Sequence, residues 1–321
     1  MATAPNMPYT PITWIAYDPA SIRVLELARK VAPTAATLLI TGESGSGKDH
    51  LARMIHELGP RHDAPFLKID CASLPQELVE SELFGHERGA FTGAVERKLG
   101  RLELAYGGTI VLDEVAALTT GIQSKLMRVL EERNFERLGG TETLRLDARL
   151  IALTNAVLPQ LIAAGRFRED LYFRLNVVSI HLPPLRERRA DIIPLAEHLL
   201  ARLAPLHGRK VVQLSPEAKQ ALMSYFWPGN IRELKNVLER ALIFGKNRGE
   251  ELAAEDLPEN VQAYGTGTTH AVSKLRSLEE LEREAIAAAL EATHYKISKT
   301  AEILGISRKT LLDKRKRYGL E

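Results

Sequence analysis

This chain of 321 residues has a single cysteine, Cys71, so neither a disulfide scaffold nor a cysteine-ligated zinc site is open to it. The cysteine follows an apolar run and reads as a buried structural thiol. The 9 histidines fall at no spacing that suits a metal. No stretch approaches the roughly 20 apolar residues of a membrane span, and residues 1–9 lack an apolar signal core. Nor does one sign of charge dominate: 43 Lys and Arg stand against 41 Asp and Glu, a formal net charge of +2. A polycation is thereby excluded, and any nucleic-acid site must be a local basic patch. What these absences leave is a soluble intracellular protein. At about 150 residues per domain it is long enough for two or three, each able to bury a core.

The stretch 37–58 organises the rest. A short apolar segment, 37–41, leads into Gly42-Glu43-Ser44-Gly45-Ser46-Gly47-Lys48-Asp49 and then an amphipathic helix over 50–58. Strand, glycine loop, lysine and helix together suit a polyphosphate. Glycines let successive N–H groups face inward, and the helix N-terminus adds a positive dipole end. Lys48 would reach the β- and γ-phosphates. Asp49 stands where a Ser or Thr usually ligates Mg²⁺.

A helix is predicted over 21–31. Further strands at 66–69, 109–112, 150–153 and 177–182 alternate with helical patterns, notably 122–133. Polar residues end them: Asp70, Asp113-Glu114 and Thr154-Asn155. The pattern describes a doubly wound parallel sheet. Asp113 would hold Mg²⁺, and Glu114 would orient or deprotonate the attacking water. Thr154 and Asn155 suit sensing of the γ-phosphate or positioning of water. The segment 82–94 is too glycine-rich for regular helix. In 167–174, Arg168 or Arg174 could meet phosphoryl charge or pair with Glu169 or Asp170, and spacing does not choose between them.

After Pro183-Pro184 the strands stop, and helices at 192–203, 216–226 and 230–244 form an all-helical unit, the second capped by Ser215 with Pro216 in its first turn. Gly265-Thr266-Gly267-Thr268-Thr269 reads as a linker. Beyond it, an amphipathic helix over 278–292 precedes a helix-turn-helix: 299–304, a Gly305-Ile306 turn, and 307–318. The last helix carries Arg308, Lys309, Lys314, Arg315, Lys316 and Arg317, with Leu311 and Leu312 left for packing. That is the layout of a recognition helix, so double-stranded DNA is an expected partner. Ser307 and Thr310 join it as candidate DNA contacts.

These residues together resemble the sigma-54-dependent transcriptional activators, or bacterial enhancer-binding proteins, a branch of the AAA+ ATPases, from about residue 12 to 321. Gly42–Asp49 looks like that family's phosphate loop, which generally ends on an acidic residue, and 107–114 is similar to its Walker B segment. The resemblance implies that Arg168 and Arg174 act on a neighbouring subunit's nucleotide. In 227–234 it implies a sensor II motif with Arg232 as the nucleotide-responsive arginine. The C-terminal part of the chain, 276–321, resembles a Fis-type DNA-binding domain. Most telling is Gly89-Ala90-Phe91-Thr92-Gly93-Ala94, the family's signature loop, which the resemblance implies projects from a ring and touches the sigma factor. Two glycines let such a loop be raised and lowered, and Phe91 offers an apolar tip.

Three departures from the family's pattern stand out. Asp70 replaces the usual Asn, so it either shares a proton with Glu114 or turns to a neighbouring N–H or to metal-shell water. Ala16 replaces a customary Gly beside the expected adenine pocket. Only about a dozen residues precede the ATPase-like region, so control by a regulatory protein in trans, or a shortened chain, is expected. The implied architecture is an AAA+ α/β domain over 1–184, a helical lid over 185–260, a linker over 261–275 and a helix-turn-helix domain over 276–321. The implied function is an ATP- and Mg²⁺-dependent activator that binds upstream DNA, assembles as a hexameric ring and remodels sigma-54 RNA polymerase holoenzyme in the cytoplasm. The alternative is a DNA-binding AAA+ regulator that does not contact sigma-54.

Overall fold

Strands that are apolar on both faces are stable only between two layers of helix. In the computed structural model, which describes residues 14–209, 213–245, 251–265, 282–283, 286–287, 289–290, 293 and 295–319, five strands form a parallel sheet whose three central members are of this kind. The five are β1 (Leu38–Thr41), β2 (Phe66–Asp70), β3 (Thr109–Asp113), β4 (Arg149–Thr154) and β5 (Val178–His181), in the spatial order β2-β3-β4-β1-β5. Alternate residues serve opposite faces. Leu39, Ile110, Leu112 and Ala152 enter one core, while Leu38, Ile40, Val111, Ile151 and Leu153 enter the other. The register brings Asp70 opposite Asp113 and Thr41 opposite Thr154, so the polar strand ends gather at one edge.

Helix α1 (Pro19–Val31) starts two residues before the predicted span because Asp18 caps it, accepting from the Ala20 N–H, with Pro19 in the first turn. Helix α2 (Lys48–Glu57) follows the phosphate loop directly, and Leu51, Ala52 and Ile55 bury its inner face. The expectation that 82–94 avoids helix needs correction at its start. Glu82, Leu83 and Phe84 end helix α3 (Gln76–Phe84), with Val79, Leu83 and Phe84 in the core, and the break comes only at Gly85, φ 78°. Gly85–His86 pairs with Lys98–Leu99 as the stem beneath the Gly89–Ala94 loop. A second hairpin, Asn134–Glu136 with Thr143–Arg145, follows helix α4 (Thr120–Glu132).

Helices α6 (Ile192–Leu203), α7 (Pro216–Ser224) and α8 (Asn230–Phe244) pack around Trp227, Leu234, Leu238 and Leu200; helix α5 (Glu169–Leu175) lies earlier in the chain, before β5. Ser215 caps α7 by accepting from the Ala218 N–H at 3.1 Å. Two corrections apply to this region. It is not wholly helical, since Gln213–Leu214 and Glu251–Leu252 form a short parallel ladder that buries Leu214 and Leu252. The linker cannot start at residue 261, because helix α9 (Glu259–Gly265) runs through it and Val261 is fully buried in the lid core. The remainder of the predicted linker, 266–275, lies outside the described residues.

By contacts the chain divides into two units, residues 1–267 and 268–321. In the second, helices Ile297–Ile303 and Arg308–Arg317 flank a turn in which Gly305 takes φ 65°. The predicted helix over 278–292 lies mostly outside the described residues. Leu311 is buried with Ile286, Leu290 and Ala301. Leu312 is not packed as expected but is 49% exposed, since consecutive helical residues lie about 100° apart and only one can face the core. Among the described residues no helix is long and apolar enough to cross a membrane.

Leu112 is fully buried one residue before the acidic pair at the end of β3. Leu112→Ala is expected to lower the stability of this unit by about 2–5 kcal/mol through cavity formation, read as a fall in the urea midpoint without a change in slope.

Candidate nucleotide site

A loop with three glycines has no reason of its own to hold one shape; contacts from three sides hold this one. From the sheet, the Gly42 N–H donates to Thr154 O at 3.3 Å. From within, Lys48 Nζ donates to Gly42 O at 2.9 Å and Glu43 O at 3.2 Å. From the lid, the Ile231 N–H donates to Gly45 O at 3.0 Å, Asn230 Nδ2 to Ser44 O at 3.1 Å, Arg188 to Ser46 O at 2.5 Å and Arg232 to Ser44 Oγ at 2.8 Å. Gly45 lies at φ +75°, and a Cβ there would sit 2.4 Å from Gly229 O, so only glycine fits beneath the lid. Trp227 and Asn230 adopt φ 53° and 54°, a left-handed geometry that folds this lid segment against the loop.

The loop fits a polyphosphate. Ser46 Oγ is buried without a hydrogen-bond partner among the described residues. Gly47 precedes α2 at φ 108°, leaving the helix N-terminus without a side-chain cap. Lys48 is 7% exposed, and burial pulls its ammonium below the usual lysine value against the opposing charges of Glu114, Asp113 and Asp49. A phosphate would relieve that desolvation cost.

At the strand ends, Asp113 Oδ1 accepts from the Glu114 N–H at 3.0 Å, and Glu114 Oε2 accepts from the Asn155 N–H at 3.2 Å. Glu114 takes φ 50°, uncommon for a residue with a side chain and stabilised here by its neighbours. Lys48, Asp49, Asp113, Glu114, Thr154 and Asn155 are therefore brought to one edge. Asp70 takes the second of its two predicted arrangements: its Oδ1 accepts from the Ala72 and Ser73 N–H groups at 3.0 and 3.2 Å. The Asp113 carboxylate also suits a divalent cation, although among the described residues no group of three or more His, Cys, Asp or Glu converges on one point.

Arg168 and Arg174 have partners outside this edge. Arg168 pairs with Asp170 at 2.6 Å and donates to Ser124 Oγ, while its own N–H is held by buried Gln123 at 2.8 Å. Arg174 donates to Leu130 O at 3.0 Å. Both stand on or beside α5. The signature loop is closed by bonds from the Gly89 N–H to Ala94 O and from the Ala94 N–H to Phe91 O. Gly89 and Gly93 lie at φ 84° and 106° with open space around them. Phe91 is 42% exposed and its ring meets His86 edge-on at 5.0 Å. In the C-terminal unit, Ser307 caps the last helix through the Thr310 N–H, and Arg308, Lys309 and Lys316 are exposed. Lys314 instead pairs with Glu282 at 2.5 Å.

Several residues of consequence escaped the sequence reading. Arg186 grips Glu43 with two bonds, 2.6 and 2.8 Å, and Asn230 adds a third at 3.1 Å; these hold the Glu43 carboxyl down at about 2. Arg188 and Asp191 are both fully buried: Arg188 ties the lid to the phosphate loop, and Asp191 ties it to the start of α1 and the chain just before it, accepting from the Tyr17 and Asp18 N–H groups and from Ser21 Oγ. Arg137, with a side chain only 2% exposed, joins Glu87, Glu103 and Glu142 beneath the signature loop. Lys68 bridges Asp49 and Asp113. An arginine or lysine in an ordinary strand or lid segment carries no local signal that its partner lies far away in sequence.

The five-stranded sheet, the glycine loop after β1 and the helical lid closed over that loop define an AAA+ nucleotide-binding protein. The family profile described as "Sigma-54 interaction domain" matches residues 14–181, "AAA+ ATPase lid domain" matches 186–274, and "Bacterial regulatory protein, Fis family" matches 277–318. The chain is 43% identical to the regulatory protein AtoC of Escherichia coli over 95% of its own length and 67% of AtoC. It is 54% identical to the Nif-specific regulatory protein of Azospirillum lipoferum, over 70% of its own length and 36% of that protein. The chain thus spans about two thirds of one relative and about a third of the other. A crystal structure of NtrX from Brucella abortus in complex with ATP superposes with TM-score 0.72 at 37% identity, over 97% of this chain and 70% of that one. The chain belongs to the sigma-54-dependent transcriptional activators.

The Glu43 clamp makes a prediction about acid. A carboxyl held near 2 when folded, against 4.5 when free, contributes stability that is complete above about pH 4.5 and is lost as pH falls toward 2. Glu43→Gln is expected to be less stable at pH 6 and to lose less on acidification, so that denaturant midpoints of the two proteins converge between about pH 4.5 and 2.

Proposed function

We propose that this chain is an ATP-hydrolysing activator that binds upstream DNA, assembles as a hexameric ring and remodels sigma-54 RNA polymerase holoenzyme from closed to open promoter complex. The observation that carries the reading is the convergence of the glycine loop, Lys48 and the Asp113-Glu114 strand end in a chain that also has an uninterrupted Gly89–Ala94 loop. Residues 14–184 would form the nucleotide domain, 185–265 the lid and 276–321 the DNA-binding domain.

In this reading the backbone N–H groups of 43–48 and the Lys48 ammonium bind the phosphates. Asp113, with the phosphate oxygens, would hold Mg²⁺, which supplies charge neutralisation on the transferred phosphoryl group. Glu114 accepts the proton of the attacking water, and its hydrogen bond from the Asn155 N–H orients the carboxylate from the neighbouring strand. Arg232 lies against Ser44 and would report phosphate occupancy to the lid. Arg168 and Arg174, engaged elsewhere within their own chain, would serve the nucleotide of the adjoining subunit, where a planar guanidinium suits the developing charge. Phe91, exposed between two glycines of positive φ, would meet the sigma factor. Arg308, Lys309 and Lys316 would face DNA phosphates and bases, with Arg315 and Arg317 flanking them, and a regulatory protein in trans would set activity.

Capture by sigma-54 tests the whole reading. With a transition-state nucleotide analogue the wild type is expected to be retained. Lys48→Ala is expected to bind nucleotide at least about tenfold more weakly and not to be retained. Glu114→Gln should bind ATP and turn over about 10²–10⁴-fold more slowly. Failure of the wild type to be retained while it hydrolyses ATP would favour a DNA-binding ATPase with another target. Sharing of sites between subunits has its own measurement. Arg168→Ala and Lys48→Ala proteins, each inactive, should regain ATPase activity when mixed, because some interfaces then join an intact loop to an intact arginine. No recovery in rings shown to be mixed would place the site within one chain.

A further inference from the structure

Lys68 belongs to β2, where alternation puts it on the face of Phe66 rather than that of Leu67 and Ile69. Phe66 packs into the core beneath α2, as does Val111, which is opposite Lys68 in the register. Asp113, two residues beyond Val111, emerges on the same face, and Asp49 overhangs it from the first turn of α2. The Lys68 ammonium closes the triangle, 2.5 Å from Asp49 Oδ1 and 2.7 Å from Asp113 Oδ2. Burial pulls this ammonium down, but its bonds to Asp113 and Asp49 outweigh that and hold it above the usual lysine value.

In the general phosphate loop a neutral hydroxyl follows the lysine and ligates the metal. A carboxylate there adds a negative charge beside Asp113. We propose that Lys68 and Asp49 form a charge-neutral pair at the place of that hydroxyl, without its role as a metal ligand, so that Asp49 is held by Lys68 and Asp113 is the carboxylate left to the divalent cation. The pair also orients Asp113. One of its oxygens is fixed by the Glu114 N–H and the other by Lys68, while an ionised carboxylate keeps lone pairs for a further bond. Lys68 is therefore a positioning residue, and the metal meets one carboxylate rather than two. This rests on the reading that Mg²⁺ is held at Asp113.

The test is a titration of Mn²⁺ into the 321-residue chain with saturating ADP, free metal being read by electron paramagnetic resonance. Removing the tethered cation releases Asp49 to the metal, so Lys68→Met should bind Mn²⁺ about tenfold more tightly, whereas Asp49→Ala, which adds no hydroxyl, leaves Lys68 on Asp113 alone and should weaken binding about tenfold. The double variant should return to within about threefold of wild type. A merely structural lysine predicts weakening in both single variants, so Lys68→Met that binds equally or less tightly overturns the proposal. Lys68→Gln, which keeps a hydrogen-bond donor without the charge, is read in parallel, and ADP binding in EDTA checks that each protein is folded. Asp113→Asn separates the two readings. If it weakens Mn²⁺ binding and Lys68→Met does not tighten it, the pair alone is wrong; if it changes nothing, the metal assignment fails and the pair with it.

Discussion

The lid's hold on the backbone carbonyls of the phosphate loop is the interaction on which the nucleotide region depends. A glycine-rich turn loses much conformational entropy on ordering, and each neutral hydrogen bond returns a net of only about 0.5–1.5 kcal/mol. Four successive residues of the loop, Glu43, Ser44, Gly45 and Ser46, each have a partner from 186–232. Where those partners sit, the loop sits. Because the lid also holds the segment before α1, through Asp191, a shift of the lid moves both the phosphate cradle and that segment.

Charge is handled in two ways around this clamp. Glu43 and Arg186 are partly exposed, and water and salt moderate their attraction. Arg188 is fully buried, with its Nε lacking a partner among the described residues, and burial pulls its guanidinium down despite Asp191 and Asp18 nearby. A charge in that position is tolerated where geometry matters more than stability. Beneath the signature loop, buried Arg137 is the opposite case, held above the usual arginine value by bonds to Glu103, Glu142 and Glu87. Two hairpins whose own ladders are two or three residues long gain there a shared ionic anchor.

The sheet was legible because its three central strands are continuous apolar runs ending in polar residues, and all five predicted strands lie within a residue or two of the observed ones. The site's chain-local parts were legible for the same reason: Gly42–Asp49, Asp113-Glu114 and Thr154-Asn155 each announce themselves in one short stretch. The two hairpins were not, since strands of two or three residues are too short for alternation to register. Helix α9 was hidden by the glycine and threonine run after it, and the helix itself and the burial of Val261 show that the lid continues past residue 260. Asp70 could be reduced to two arrangements but not one, because an aspartate two or three residues before free N–H groups closes its own turn as readily as it meets a neighbour. Lys68 carries no signature at all, since a lone lysine in a strand reads as a solvated edge.

The lone thiol has a practical consequence. Cys71 is fully buried just past β2, and burial pushes it up to about 12, so it presents almost no thiolate to a reagent at neutral pH. The folded chain is thus expected to react only slowly with maleimides and iodoacetamides. A cysteine introduced in the signature loop, where Gly89 and Gly93 leave open space, would be the one position that takes a fluorophore or spin label. The motion of that loop can accordingly be followed spectroscopically in a protein that needs no background cysteine removed.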